Sequence, residues 1–309
     1  SDFSDDPDVV AAALYCTALV RHEQGDLLGA GETYQRVIDS EHPDHAPRAA
    51  HRLAGMLRDQ GDSVGAREIY QRAIDSGHAD HAPKAGVALA DLLREQGDLI
   101  AARKAYLRAN GSGHPDHAPE AALRLGAMLQ QQEDFVGARS AYHRVINTGH
   151  SDYAPRAARA LGGMLQHQGD LDGARDAYQR AIDSGHREHT LSATVCLGGV
   201  LHQQGDLDGA RHAYQRVVDS GEPDHAPMAA LALGAVLQEQ GNPRAAGEAF
   251  TLALNSGHPV AAPMVALALG ALLQEQGDIA GARNAYQRAI NSDDPAARTQ
   301  AQAALDHLS

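Results

Sequence analysis

The chain has 309 residues and a formal net charge of −14, from 40 acidic and 26 basic side chains. This balance disfavours duplex DNA and anionic membranes as partners, because both select clustered lysine and arginine. Tryptophan is absent and aromatic residues make up 4% of the chain, which argues against one large globular core.

The first predicted helix opens at Asp6-Pro7, and a short turn motif follows it at Gln24-Gly25-Asp26. The motif recurs every 36 residues, without an insertion, in eight copies. The fourth copy, Gln132-Glu133-Asp134, has glutamate in place of glycine, and the seventh, Gln240-Gly241-Asn242, has asparagine in place of aspartate. The spacing predicts eight tandem structural units of one design.

Apolar residues follow helical spacing on both sides of each turn. Around the fourth copy they are Ala122, Leu125 and Leu129 before the turn, then Ala138 and Tyr142 after it. Each repeat is therefore predicted to be two amphipathic helices. The turn glycine suits the left-handed conformation that ends the first helix, and the aspartate or asparagine after it caps the second.

A longer connection separates one repeat from the next, as in residues 76–83. There Gly77 is predicted to close the second helix and Asp80 to cap the following one, with Pro83 in its first turn. After the eighth repeat, Asp294-Pro295 starts a last helix over 294–308 that we expect to shield the final core.

This pattern resembles the tetratricopeptide repeat family. The resemblance rests on a small residue in each first helix, the Gly-Asp turn, and then alanine and an aromatic residue in each second helix. The aromatic positions are Tyr34, Tyr70, Tyr106, Tyr142, Tyr178, Tyr214, Phe250 and Tyr286. The resemblance implies an all-α, right-handed superhelical solenoid of eight helix-turn-helix repeats with a C-terminal capping helix, one solenoid over 1–309. The period of 36 exceeds the family's usual value of about 34, so a Sel1-like repeat stays open as a minor alternative.

Two groups of residues invite a chemical interpretation. Histidines spaced three apart occur at His42/His45, His78/His81, His114/His117 and His186/His189. One such pair supplies two of the four ligands of a zinc site, and the first histidine lies at a helix C-terminus, where positive charge is favourable. Cys16 and Cys196 are five repeats apart, too far for a disulfide, and we expect free thiols in a cytoplasmic compartment. We therefore expect no metal, no cofactor and, without a unique catalytic cluster, no enzyme.

The resemblance also implies that the first helices line a groove that holds a ligand. Carried over position by position, the groove is polar and basic in its first half, at Arg48, His51, Lys84, Arg94, Arg156 and Arg159. Towards its end it is apolar, at Val195, Met228, Leu231, Met264 and Leu267. Exposed methionine and leucine of this kind mark a binding surface, although any one of them could instead pack against a neighbouring helix.

These observations predict a non-catalytic scaffold or adaptor that binds a protein or peptide, with acidic residues at one end of the bound segment and apolar residues at the other. We expect neither nucleic acid nor membrane as a partner. Two alternatives remain open: a structural solenoid that associates with itself, and the sensor part of a longer multidomain protein.

Overall fold

The computed structural model describes residues 6–308, which form seventeen α-helices and no strand. The first helices of the eight repeats, with the last helix of the chain, are α1 Pro7–Glu23, α3 His45–Asp59, α5 His81–Glu95, α7 His117–Gln131, α9 Tyr153–His167, α11 Arg187–Gln203, α13 Ala226–Glu239, α15 Ala261–Glu275 and α17 Pro295–Asp306. The second helices are α2 Leu27–Asp39, α4 Ser63–Asp75, α6 Leu99–Asn110, α8 Phe135–Thr148, α10 Leu171–Asp183, α12 Leu207–Ser220, α14 Pro243–Asn255 and α16 Ile279–Ile290. The prediction of an all-α repeat fold is confirmed.

The turn inside each repeat forms as its motif predicts. Gly25 has a φ of 80°, in the left-handed region that glycine adopts without strain. The next residue, Asp26, accepts a hydrogen bond from the backbone N–H of Gly29 at 3.0 Å and so caps α2. The same arrangement recurs at the other turns, with Asn242 capping α14 in the seventh repeat.

Glu133 is the exception among the turn glycines, and it keeps their backbone conformation at a φ of 61°. A side chain in that region costs about 1–2 kcal/mol. We expect Glu133→Gly to raise the free energy of unfolding by about 1 kcal/mol, measured by urea denaturation followed by circular dichroism. The matched control is Gln132→Gly, because Gln132 has an ordinary φ of −86° and glycine there should destabilise the protein. Equal effects of the two substitutions would contradict this account.

The connection between repeats differs from its prediction. Asp80 makes no capping hydrogen bond at α5. Instead the ring Nδ1 of His78 accepts from the backbone N–H of Asp80 at 3.1 Å and of His81 at 3.2 Å. Gly77, with a φ of 66°, closes the preceding helix as expected. The imidazole therefore replaces the carboxylate as the acceptor at the start of the first helix, and Asp44 and Asp116 are likewise without a cap bond.

The aspartates that do not cap a first helix instead accept a hydrogen bond from the histidine of the following connection. Because Nδ1 of His78 is an acceptor, its proton lies on Nε2, which donates to Asp44 at 3.3 Å. Three further contacts of this type are His42 with Asp8, His114 with Asp80, and His150 with Asp116, at 2.8 to 3.2 Å. We call these four contacts the His–Asp ladder.

The helices form two compact units, residues 6–157 (unit 1) and residues 158–308 (unit 2). In unit 1 successive helices pack together from α1 to α8, and α1, α3, α5 and α7 also contact one another in order. Its second helices, within the described residues, make no comparable contact with each other. In unit 2 successive helices pack from α10 to α17, and α13, α15 and α17 contact one another. That 1–309 is a single solenoid stays a prediction.

The aromatic residue of each second helix fills the core of its repeat. Tyr142 is 1% exposed and lies against Gly126 of α7, where a Cβ atom would be 2.7 Å from the ring. In unit 2, Phe250 packs even more closely against Gly234. The small residue of the first helix is thus a packing requirement. Among residues 6–308, no helix is long and apolar enough to cross a lipid bilayer.

Candidate protein-binding faces

The first helices of unit 1 place basic side chains in solvent at equivalent positions of neighbouring repeats. Arg48 of α3 and Lys84 of α5 are both exposed, and neither has an ion pair among the described residues. The guanidinium carbon of Arg48 lies 5.2 Å from the centroid of the Tyr15 ring, which orients the side chain across α1. We call the surface formed by Arg48, His51 and Lys84 the basic face of unit 1.

His51 lies about one turn after Arg48 on α3 and is half-buried. Its Nδ1 is buried without a hydrogen-bond partner in residues 6–308. Burial lowers the pKa of His51 to about 4, and the charges of Lys84, His81 and Arg52 act in the same direction. His51 is therefore neutral at physiological pH, and it adds an apolar ring edge rather than a charge to the basic face.

The remaining basic residues predicted for unit 1 are partly neutralised. Arg94 is half-buried and lies 4.0 Å from Glu95. Arg156 is exposed, with its guanidinium 3.4 Å from Asp152 and over the ring of Tyr153. Each has an intramolecular partner that an incoming carboxylate would have to displace, so Arg48 and Lys84 are the stronger candidates.

A charged network that the sequence analysis did not predict joins α5, α6 and α7. Arg124 donates to Asp91 at 2.9 Å and to Glu120 at 2.7 Å, and the hydroxyl of Tyr106 donates to Asp91 at 2.5 Å. A hydrogen bond from His117, together with Arg124, holds the pKa of the Glu120 carboxyl below its usual value. A sequence signal for the network exists, because Asp91 and Glu120 are each the only acidic residue at their position among the eight repeats. This network limits the basic face to α3 and α5.

The candidate residues of unit 2 differ in exposure. Met264 is 45% exposed and Arg159 is exposed, as expected of groove residues. The other four, Val195, Met228, Leu231 and Leu267, are half-buried and pack against the core of α12 to α16. The sequence left open that any one of these residues packs against a neighbouring helix, and these four do so in part, which leaves Met264 as the most exposed apolar residue of the set.

Core tyrosines also fix polar residues of the first helices. The hydroxyl of Tyr142 donates to Gln130 at 2.9 Å, and in unit 2 that of Tyr286 donates to Gln274 at 2.9 Å. These glutamines precede their tyrosines by twelve residues, a spacing visible in the sequence whose meaning required the fold. These hydrogen bonds hold the side chains of Gln130 and Gln274, on first helices, from the core side of each unit.

The sequence matches the model of the tetratricopeptide repeat-like domain over residues 66–197 and 190–309, and a tetratricopeptide repeat model over residues 18–81. The chain therefore belongs to the tetratricopeptide repeat-like family, whose members are generally non-enzymatic scaffolds for protein–protein interaction.

Among solved structures, the chain is similar to PilF from Pseudomonas aeruginosa, with a TM-score of 0.50 and 20% identity over 63% of this chain and 93% of that one. It also matches MamA, with a TM-score of 0.44 and 19% identity over 55% of this chain and 95% of that one. At this level of identity the likeness to PilF concerns the fold alone. No curated protein matches the sequence.

Proposed function

We propose that the chain is a non-catalytic adaptor that holds segments of other proteins on its first helices. Unit 1 would bind an acidic segment on its basic face, and unit 2 an apolar segment around Met264. The observation that carries the proposal is the pair Arg48 and Lys84, two exposed cations at one position of adjacent repeats, without ion pairs in the described chain. The stacking of repeats does not require a positive charge at this position, because the next repeat has Glu120 there.

The chemistry of the basic face favours carboxylates. A guanidinium binds a carboxylate through two parallel hydrogen bonds, and Arg48 is already oriented for this by the Tyr15 ring. Lys84 adds a second charge one repeat along. Each exposed pair contributes about 0–1 kcal/mol, so the face should mainly accelerate association and make binding sensitive to salt.

In unit 2 the affinity would come from apolar contact. Since Met264 is 45% exposed, burying the rest of its side chain against a partner would contribute about 1 kcal/mol, with a smaller share from the exposed parts of Leu231 and Leu267. Small residues beside them, Ala235 and Ala271, are exposed and leave room for a partner's side chain. We further infer a cytoplasmic location, because Cys16 and Cys196 are both free thiols.

The test is affinity capture from extracts of cells that express the protein. Wild type should retain one or more partners, and the double variant Arg48→Glu with Lys84→Glu should lose them at low salt. Because Arg48 and Lys84 are exposed, circular dichroism should show unchanged helical content. Met264→Glu should release partners that depend on the apolar segment, at any salt concentration.

The matched control is Arg180→Glu with Arg283→Glu, which makes the same change of charge at exposed positions of second helices. This control should capture partners as wild type does. Equal capture by wild type and by the Arg48 and Lys84 double variant would exclude the basic face as the binding surface.

A further inference from the structure

A row of exposed aliphatic side chains lies on the opposite helices of unit 1. Leu28, Val64, Ile100 and Val136 are each the second residue of a second helix, and each is between 71 and 87% exposed. We call them the aliphatic row. Single exposed aliphatic residues are ordinary, but four at one position of consecutive repeats form a patterned surface.

Repeat stacking does not explain this row. In unit 2 the same position is occupied by Asp172, Asp208, Arg244 and Ala280, all of them exposed. The helices of unit 2 therefore form and pack without an aliphatic residue there. The aliphatic row occurs in unit 1 alone, and the packing of helices within the chain does not require it.

Unpaired positive charge accompanies the row. Three residues further on, unit 2 has Arg175 and Arg211, which lie 3.6 and 3.7 Å from Asp172 and Asp208. In unit 1 the aliphatic residue takes the place of that aspartate, and Arg67 and Arg139 have no ion pair within residues 6–308. Arg103, three residues after Ile100, lies 3.6 Å from Asp134 instead, so Arg67 and Arg139 are the two unpaired arginines that border the aliphatic row in the described residues.

An open cleft adjoins the middle of the row. Because α4 and α6 make no substantial contact with each other in the described residues, a cleft of about 620 Å³ remains between them. Its floor includes the buried side chains of Ile74, Leu89 and Leu93, and its mouth carries Arg67 and Lys104. Lys104 also lacks an ion pair in the described chain. Val64 and Ile100 precede these two basic residues by about one helical turn.

We propose that the aliphatic row and the α4/α6 cleft form a second docking surface, which binds an amphipathic helix of a partner protein whose apolar stripe is flanked by acidic residues. The apolar stripe would cover Val64, Ile100 and the cleft floor, and its carboxylates would meet Arg67 and Lys104. The cleft is lined by residues of both α4 and α6, so a docked helix would contact these two helices together. The neighbouring α2/α4 cleft carries Glu32 and Glu68 at its rim, so the acidic helix belongs at α4/α6.

The probe for this surface is a fluorescent synthetic peptide with leucine at i, i+3, i+4 and i+7 and glutamate at the flanking positions. Its twin carries lysine in place of every glutamate. Fluorescence anisotropy should show that the full-length protein binds the acidic peptide and does not bind the basic twin. Val64→Glu with Ile100→Glu should weaken that binding by about tenfold or more, because both apolar contacts are replaced by like charge.

The matched control is Ala280→Glu, an exposed change to the same residue at the same position of the eighth repeat, which should leave binding unchanged. Arg48→Glu with Lys84→Glu should also leave it unchanged, because the basic face lies on the first helices. Equal binding to wild type and to the Val64 and Ile100 variant would overturn the proposal, as would no binding of the acidic peptide.

Two other results would also overturn it. Loss of binding only in the Arg48 and Lys84 variant would place the peptide on the basic face, and so separate this inference from the proposed function. A wild-type dimer in sedimentation analysis that Val64→Glu with Ile100→Glu makes monomeric would identify the occupant as a second copy of this chain.

Discussion

Replacing Tyr142 with alanine should lower the free energy of unfolding by about 3–5 kcal/mol. The side chain is 1% exposed, it packs against Gly126, and its hydroxyl donates to Gln130 at 2.9 Å. Burial also raises the pKa of the Tyr142 phenol to about 12, as expected of a ring removed from water. Alanine would leave a cavity that Gly126, without a side chain, cannot fill. Urea denaturation followed by circular dichroism measures the change.

The control for this prediction is Tyr142→Phe. It keeps the ring against Gly126 and removes one hydrogen bond, so it should cost only about 0.5–1.5 kcal/mol. Phe250 occupies the equivalent position of the seventh repeat without a hydroxyl, which shows that the ring alone suffices for packing. A loss below about 1 kcal/mol for Tyr142→Ala would mean that the aromatic residues contribute little to the core.

Acidification from pH 6.5 to about 4 should destabilise unit 1 through two histidines. Burial is the main cause that lowers the pKa of His51 to about 4, and it does the same for His81, with help from His78 and Arg48. Between pH 6.5 and 4 the unfolded chain binds protons at these sites and the folded chain does not, so stability falls as pH falls. Well above pH 6.5 these histidines are neutral in both the folded and the unfolded chain, and the effect is absent.

The size of this effect follows from the pKa difference. One pKa unit corresponds to about 1.4 kcal/mol, and partial exposure of both rings reduces the full value, so we expect a combined loss of about 2–4 kcal/mol. Urea unfolding at several pH values in this window measures it. His51→Val is the control, because Val87 occupies the equivalent position one repeat later. This variant should show a flatter pH dependence, and an unchanged slope would assign the proton uptake to other groups.

The helices and their turns could be predicted because their causes are local. An apolar period, a glycine and a capping aspartate within a few residues determine where α1 ends and α2 begins. The cap of α5 was assigned to Asp80 wrongly for the same reason. A rule for aspartate at a helix start cannot show that the Nδ1 of His78 is closer to the free N–H groups than the carboxylate of Asp80.

The binding faces were harder to predict because exposure depends on residues one repeat away. Leu231 and Leu267 are half-buried since neighbouring helices cover them, which the spacing within one helix does not reveal. The aliphatic row was missed although its signal is visible. Within its own helix Ile100 is one apolar residue among many. Only a comparison of equivalent positions in the repeats shows that it occupies the position of Asp172 and Asp208.

The His–Asp ladder has a consequence for how such a chain can grow. The connection with His78 and Asp80 and the connection with His114 and Asp116 each carry a histidine for the preceding connection and an aspartate for the following one. A duplicated segment of 36 residues therefore brings its own histidine for the connection before it and its own aspartate for the connection after it. Gene duplication could lengthen this part of the array one repeat at a time, and each new junction would form without any compensating mutation.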